Sequence, residues 1–152
     1  MFCSLPRSGT YRSKTYCMEK AFDFLKANKA VAFATVEGGK PKIRVFEVVK
    51  QQGNTLYFTT APGKEVYRQL QENPNVEILA MKGNIFVRIA GQAVFDVDDK
   101  TAQEIYAANP VLPRLYKAYT DLVYFRLSAT TLDYYDLTPT PPLQEHYDYG
   151  QK

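Results

Sequence analysis

Hydrophobic and polar residues alternate with the period of two that is typical of β-strands at about residues 85–95 and in the run that begins at residue 122, and shorter apolar runs stand between turns elsewhere in the chain. Together with the turns between the runs, this pattern predicts six strands, at about residues 30–36, 42–51, 55–60, 75–81, 85–95 and 122–137. The run at 85–95 alternates most regularly, and Gly91 interrupts it at a point where a long strand can bend sharply. Short turns and helices at the joins indicate a closed antiparallel barrel, mainly β with some α.

The sequence also predicts four helices, one before the first strand and three between strands. Asp98 is a suitable N-cap for one of them, and Asn73-Pro74 ends another. The predicted helices cover about residues 16–28, 63–73, 99–108 and 111–119.

The chain divides into an arm, one domain and a tail. Residues 1–14 are polar, basic and unpatterned, which predicts a flexible N-terminal arm. The barrel domain is expected at residues 15–138. Residues 139–152 form a Pro-rich, aromatic tail that can be neither a central strand nor a helix.

The run at 42–51 alternates poorly. Ile43 and Val45 share one face, Phe46 and Val48 lie on the other, and Glu47 stands where an apolar residue is due. One interpretation is a bulge near Phe46-Glu47. The other is a strand covered on both faces, by the core on one side and by a ligand or a partner subunit on the other. Because a monomeric barrel would leave one apolar face in water, we predict a homodimer.

The same region carries a candidate anion site. The strand at 42–51 brings Arg44, and the next strand ends in Thr59-Thr60. Pro62 suits the first position of the following helix, and Lys64 then falls in its first turn. Free helix amides, two hydroxyls and a lysine can bind a phosphate, with Arg44 close by. Taken alone, the loop favours a simpler interpretation, in which the threonines end the strand, one caps the helix, and Lys64 is solvated.

The order of these parts resembles the FMN-binding split-barrel family of pyridoxamine 5′-phosphate oxidase and its shorter relatives. The quoted parts are K-x-R-V at 42–45, a hairpin through Gly53-Asn54, Y-F-T-T at 57–60, a loop with Lys64, and Q-x-N-P-x-V at 71–76. The resemblance covers roughly residues 16–138. It implies a six-stranded antiparallel split β-barrel that forms a homodimer and binds FMN at the subunit interface.

The resemblance also assigns roles to residues. Arg44 and Lys64 would grip the phosphate, while the two threonines would contact the phosphate or the ribityl chain. Backbone groups of residues 45–47 would follow the edge of the flavin ring. Lys50 falls near a family lysine if one residue of the hairpin is gapped. The full predicted set of cofactor-binding residues is Arg44, Val45, Phe46, Glu47, Phe58, Thr59, Thr60 and Lys64.

Departures from the full oxidase argue against pyridoxamine phosphate oxidation. Phe86 stands where that enzyme has a flavin-contacting glutamine, and the chain has no Trp to match those of its C-terminal extension. The resemblance therefore favours an FMN-dependent oxidoreductase with an unidentified small-molecule substrate or electron donor. The flavin would carry the hydride chemistry, and the protein would bind and orient it.

No residue is predicted as a catalytic acid or base. His146 is the only histidine, and a solvated tail residue is the simpler interpretation. Tyrosines in the last strand and the tail could cover a flavin face, and packing explains them equally well; these are Tyr134, Tyr135, Tyr147 and Tyr149. Arg88 could reach the cofactor across a subunit interface, although a surface arginine is the simpler interpretation.

Two other function classes stay open. The same barrel could bind a deazaflavin or haem as a non-catalytic carrier or sensor. Small barrels with aromatic faces can also bind nucleic acid, but the clustered Lys and Arg of such a groove are absent, so no nucleic-acid partner is expected.

Composition narrows these options. The net charge of +3 is too small to imply nucleic acid, and two cysteines make no disulfide framework. One histidine provides no zinc spacing, so no metal site is predicted. Because no apolar run resembles a signal peptide or spans a membrane, a cytoplasmic protein is expected.

Overall fold

A computed structural model gives the structure of residues 14–149. This range contains the helices α1 (Lys14–Ala27), α2 (Glu65–Glu72), α3 (Asp99–Ala108) and α4 (Val111–Leu115), and a short 3₁₀-helix at Tyr119–Asp121. It also contains the strands β1 (Ala30–Glu37), β2 (Lys40–Glu47), β3 (Lys50–Gln52), β4 (Thr55–Thr60), β5 (Asn75–Lys82), β6 (Ile85–Val94), β7 (Val123–Asp136) and β8 (Leu143–Asp148). The predicted N-terminal arm lies outside the described residues, except for Lys14.

The strands form one antiparallel sheet in the order β2-β1-β5-β6-β7-β4-β3. β7 is long enough for two neighbours on one side, since its first half pairs with β4 and its second half with β8. β2 and β3 follow each other in the chain but lie at opposite ends of the strand order. The sheet therefore curls on itself until its two ends lie close together. The chain between β2 and β3 joins these ends, and strand-to-strand hydrogen bonds do not.

The change of edge occurs between two consecutive residues. The Val48 amide donates to the Lys29 carbonyl at 2.9 Å, beside β1, and the Val49 amide donates to the Tyr57 carbonyl at 3.0 Å, beside β4. One continuous strand at 42–51 is therefore wrong, because its two halves pair with different neighbours. A bulge near Phe46-Glu47 is also wrong, because β2 pairs with β1 in unbroken register through Glu47 and the strand ends there.

The tail adds a strand that the sequence did not predict. β8 occupies Leu143–Asp148 and pairs with β7 on one side. The sheet thus extends past the predicted boundary at residue 138. With β8 and the broken strand, the described residues hold eight strands instead of six.

The helices agree with the prediction to different degrees. α3 spans the predicted residues, and its N-cap is Asp98, whose carboxylate accepts a hydrogen bond from the Thr101 amide at 2.7 Å. The predicted helix at 111–119 is too long, because α4 ends at Leu115. Tyr116 is already extended there, and its carbonyl accepts a hydrogen bond from the Tyr106 hydroxyl at 2.6 Å.

Aromatic rings fill the inside of the curled sheet. Phe33 of β1 lies 5.2 Å from Phe58 of β4, and Phe58 lies 5.7 Å from Phe125 of β7, measured between ring centroids. Phe46 of β2 joins them at 4.7 Å from Phe33. Edge-to-face and offset ring contacts of this kind stabilise a core beyond the area that they bury. The cluster holds β2 against β4 across the gap between the two sheet edges.

The opposite side of the sheet is its outer face. Ile43 and Val45 of β2 are each 72% exposed, and Met81 of β5 is 70% exposed. With Leu79 of β5 they form the outer patch, an apolar surface that is defined here by these four residues. Farther along the outer face, Arg88 hydrogen-bonds Asp133. The outer face is thus apolar at the outer patch and carries the charged pair of Arg88 and Asp133 on β6 and β7.

Gly91 lies at a register shift between β6 and β7. The pairing steps from Ala90–Thr131 to Gly91–Ala129, so Thr130 is the extra residue of a bulge. A Cβ atom on Gly91 would lie 2.1 Å from the Ser128 carbonyl oxygen. The close approach of two backbones explains why a glycine interrupts the most regular strand of the chain.

We expect Gly91→Ala to lower the free energy of unfolding by about 1–3 kcal/mol, because the backbone must shift to admit the methyl group. Urea denaturation measures the change. Gly63→Ala is the matched control, since a Cβ atom there meets nothing within 4 Å. Equal denaturation midpoints for the two variants would show that the bulge tolerates a side chain.

Candidate functional site

A cleft of about 410 Å³ opens between the edge strand β2, the end of β4 and the start of α2. Volumes of this order are typical of small-molecule sites. The residues that line it are Arg44, Phe46, Thr59, Thr60, Ala61, Lys64, Glu65, Val66 and Tyr116. The fold therefore brings five of the predicted cofactor-binding residues to one cleft.

Arg44 enters the cleft from β2. Side chains alternate along the strand, so Arg44 and Phe46 point inward while Ile43 and Val45 point outward. The guanidinium donates from Nη1 to the Phe33 carbonyl at 3.2 Å and to the Thr35 hydroxyl at 2.8 Å. Its Nη2 donates to Gln69 Oε1 at 2.7 Å. Of five N–H donors, Nε–H and one on Nη2 have no partner among the described residues.

The environment acts on the charge of Arg44 in two directions. Burial lowers the pKa of the guanidinium, and the negative charge of nearby Glu65 opposes that shift. Glu65 itself lines the cleft. A carboxylate at this position weakens the attraction of the cleft for an anion.

Hydroxyl and ammonium groups are also present among the residues that line the cleft with Arg44. Because Thr59 and Thr60 are consecutive in β4, their side chains point to opposite faces of the strand, and Thr60 is on the buried face. The Thr59 and Thr60 side chains lie at the end of β4, and Lys64 follows in the connecting loop. Within residues 14–149, neither hydroxyl and no atom of the Lys64 ammonium has a hydrogen-bond or salt-bridge partner. These donors are therefore available to a ligand.

The start of α2 differs from the prediction. The Lys64 amide donates to the Ala61 carbonyl at 3.0 Å, which closes a β-turn with Pro62 and Gly63 in the middle. Pro62 suits that turn as well as it suits a first helical position. The helix consequently begins at Glu65, and Lys64 is its N-cap residue, with no side-chain capping bond. The first amides of a helix have no partner within the helix.

The edge position of β2 leaves backbone groups open. Val48 hydrogen-bonds to Lys29, so alternate residues of β2 pair with β1 and the residues between them face away. The latter include Val45 and Glu47, whose N–H and C=O groups point to the free edge. Their side chains do not line the cleft. Phe58 is fully buried in the core and does not line the cleft.

The sequence model of pyridoxamine 5′-phosphate oxidase matches residues 17–135 of the chain. The chain belongs to the pyridoxamine 5′-phosphate oxidase family. The structure and its likeness to solved members confirm the predicted split barrel, apart from the strand count. None of the curated proteins compared with the chain matches it.

Solved structures of low sequence identity share the family fold. A NimC/NimA family protein of Clostridium acetobutylicum is 24% identical, with a TM-score of 0.70 over 86% of this chain and 94% of that chain. A pyridoxamine 5′-phosphate oxidase-related, FMN-binding protein of Nostoc punctiforme is 18% identical, with a TM-score of 0.65 over 89% and 90%. A heme-binding protein of Mycobacterium smegmatis is 16% identical, with a TM-score of 0.72 over 91% of this chain and 60% of that chain.

Several residues considered from the family resemblance lie outside the cleft. Lys50 forms a salt bridge with Glu104 at 3.0 Å. Phe86 stacks on Tyr135 at 4.4 Å between ring centroids, on the outer face. Tyr134 is buried in the core, and Tyr147 and Tyr149 pack against it.

His146 is not a solvated tail residue. It lies in β8, and its Nδ1 is 2.5 Å from Asp133 Oδ1, while Arg88 binds the other oxygen of that carboxylate at 3.1 Å. This row crosses the outer face and does not contribute to the cleft. Within residues 14–149, no three metal-ligating side chains are grouped to hold a metal ion, and no helix there is long and apolar enough to cross a bilayer.

Sequence reasoning missed three residues at the site. Tyr116 lines the cleft from the end of α4, and nothing in the pattern signals it. Thr35 and Gln69 are buried and bond Arg44. Gln69 follows Val66 by three positions, on the buried face of α2, and a polar residue on a buried face was a signal that could have been used.

Proposed function

We propose that this protein binds FMN in the cleft and is an FMN-dependent oxidoreductase of the pyridoxamine 5′-phosphate oxidase family. The observation that carries the proposal is the group of unpartnered donors at one end of the cleft, beside an open strand edge. FMN combines a phosphate with a ring whose edge carries hydrogen-bonding atoms. The two parts of the cleft match the two parts of this ligand.

The phosphate end would be held by Lys64, Arg44 and the two threonine hydroxyls. Charge-assisted hydrogen bonds to a phosphate are about twice as strong as neutral ones. The amides at the start of α2 would add donors of the kind that bind phosphates at helix N-termini. The free backbone edge at Val45 and Glu47 supplies both N–H and C=O groups for the ring.

Bound FMN supplies hydride and single-electron chemistry, and the protein determines its binding and orientation. Arg44 keeps a fixed position because three hydrogen bonds hold its guanidinium. Phe46 lines the cleft while its ring packs on Phe33, so the wall behind the ligand is rigid.

Haem is the second candidate cofactor, because one of the similar structures is a heme-binding protein. Deazaflavin is the third. Haem iron needs an axial ligand such as His, Cys, Met or Tyr. Of the lining residues, Tyr116 alone has such a side chain. The donor set at Arg44, Thr60 and Lys64 suits a phosphate better than an iron porphyrin, and this preference favours FMN.

We expect the purified protein to bind FMN with a yellow, fluorescent flavin spectrum that dithionite bleaches. A nicotinamide donor that also bleaches it would support a reductase, whereas air reoxidation without any nicotinamide reduction would support a carrier. The visible spectrum of the native protein is the measurement. A sharp Soret band, or a deazaflavin released on denaturation, would contradict the proposal.

We expect Lys64→Ala to weaken FMN binding by roughly 10- to 150-fold, because it removes a charge-assisted hydrogen bond worth ~1.5–3 kcal/mol. Riboflavin lacks the phosphate, so its affinity should hardly change. Arg44→Ala should show the same preference together with lower stability, since its buried hydrogen-bond partners lose a donor. Fluorescence titration of both flavins measures the ratio.

Lys26→Ala is the control for loss of one positive charge, because Lys26 is exposed in α1 and does not line the cleft. The comparison of two flavins separates the phosphate contribution from any loss of folding. If Lys64→Ala weakens both flavins equally, or neither, Lys64 does not contact the phosphate.

We also infer a homodimer that covers the outer patch. Val45 and Ile43 stand on an edge strand whose other face lines the cleft, so burying the patch brings a second subunit beside the cofactor site. The patch is formed by large apolar side chains at high exposure, which are unusual on the surface of a monomer.

We expect the wild type to be a dimer at low micromolar concentration and Val45→Lys to be a monomer, because an interface that buries an unpaired charge is strongly disfavoured. Light scattering measures both masses. Gln52→Lys adds the same charge at an exposed position of β3, outside the patch, and should remain dimeric. A monomeric wild type would rule out a cofactor site shared between subunits.

A further inference from the structure

We propose that Gln69 is a positioning residue that fixes Arg44 without a salt bridge, so that the guanidinium can bind an anionic ligand. In this role Gln69 is a neutral spacer between Arg44 and the carboxylate of Glu37. The inference rests on the proposed function of the cleft as a phosphate site, and it adds the mechanism by which the cleft keeps its charge.

Gln69 lies at the centre of a buried hydrogen-bond network. Its side chain is buried, with 1% of the residue exposed, between α2 and the sheet. Oε1 accepts from Arg44 Nη2 at 2.7 Å and from the Thr35 hydroxyl at 2.5 Å. Nε2 donates to Glu37 Oε2 at 3.0 Å. Arg68 binds the other oxygen of Glu37 at the surface.

The chemistry of the partners dictates the orientation of this amide. Arg44 has only donors, so the amide atom that faces it must be the oxygen. A carboxylate has only acceptors when ionised, so the atom that faces Glu37 must be the nitrogen. The Thr35 hydroxyl accepts from Arg44 and therefore gives its single proton to Gln69. Every group in the network has one consistent role.

All three acceptors that hold Arg44 are uncharged: a carbonyl, a hydroxyl and an amide. Two other arginines behave differently. Hydrogen bonds that they donate to carboxylates raise the pKa of Arg88, next to Asp133, and of Arg126, next to Asp96. Burial lowers the pKa of Arg44 instead. Within the described residues, no carboxylate accepts a hydrogen bond from Arg44, and Glu65 acts on it only through its charge.

The nearest carboxylate in the network is one amide away. Glu37 bonds Gln69 and Arg68, and the amide length of Gln69 separates it from Arg44. An arginine already bonded to a carboxylate offers less attraction to a second anion, because the first one compensates its charge. The spacer thus gives Arg44 the rigidity of a buried network without the charge compensation that a salt bridge would bring.

An exchange of the two side chains tests this inference at constant net charge. The double variant Glu37→Gln/Gln69→Glu keeps one carboxylate and one amide in the network. The amide at position 37 can donate to the carboxylate at position 69. The exchange moves the negative charge next to Arg44. We expect roughly 10-fold or greater loss of affinity for inorganic phosphate and for FMN, and riboflavin affinity unchanged within about twofold.

Glu37→Gln alone is the matched control, because Gln69 can still bond Arg44 through the same oxygen. It should bind phosphate like the wild type. A second variant, Gln69→Met, keeps the volume and removes the acceptor. It should lower phosphate affinity severalfold through loss of orientation, again without an effect on riboflavin. Urea denaturation of each variant confirms that it is folded before titration.

The outcomes separate this inference from the proposed function. If the exchange variant binds phosphate as tightly as the wild type, Gln69 has no role in keeping the charge available. Should the exchange variant not fold, wild-type phosphate affinity in Gln69→Met leads to the same conclusion. Wild-type protein that binds phosphate but prefers FMN no more than riboflavin contradicts the proposed function, and the phosphate titration still decides the role of Gln69. Wild-type protein that binds neither phosphate nor FMN overturns both.

Discussion

The change of hydrogen-bonding partner between Val48 and Val49 determines the layout of the molecule. One amide completes the ladder with β1 and the next begins the ladder with β4. The chain can meet both edges within two residues only if the sheet curls until those edges lie side by side. This constraint leaves β2 with a free edge, and it sets Arg44 and Phe46 beside the end of β4. The cleft is the gap that remains between the two edges.

Where the barrel is open, polar groups lie next to buried side chains. In this protein, hydrogen-bond partners satisfy the polar groups at the gap. Arg44 is partly withdrawn from water, which is costly for a charge that has no hydrogen bonds. Thr35, Gln69 and the Phe33 carbonyl provide them from β1 and α2. Through Gln69, these bonds also tie α2 to the sheet. The site and the packing of α2 therefore depend on the same few hydrogen bonds.

Local patterns predicted the parts of this fold that local physics determines. Alternation identified β6, and the Asp98 side chain identified the start of α3, because both signals lie within a few adjacent residues. The break after Glu47 depends on which distant strand each half meets, so alternation could report an irregularity but not its cause. Pro62 fits a turn and a helix start equally well. The hydrogen bond from the Lys64 amide to the Ala61 carbonyl shows that it lies in a turn. The types of residue that can bind phosphate were recognisable in the sequence. The partners of Arg44 were not, because they come from positions far apart in sequence.

The period of two in β2 connects the cleft to the outer patch. Arg44 and Phe46 face inward, so Ile43 and Val45 must face outward, and a slip of one residue would exchange the two sets. Such a slip would bury the outer patch side chains at the expense of the guanidinium and its three hydrogen bonds. The aromatic contact of Phe46 with Phe33 and the bonds of Arg44 therefore fix the register together. Because that register also presents the outer patch, the residues that shape the proposed cofactor site also determine which surface a second subunit would meet.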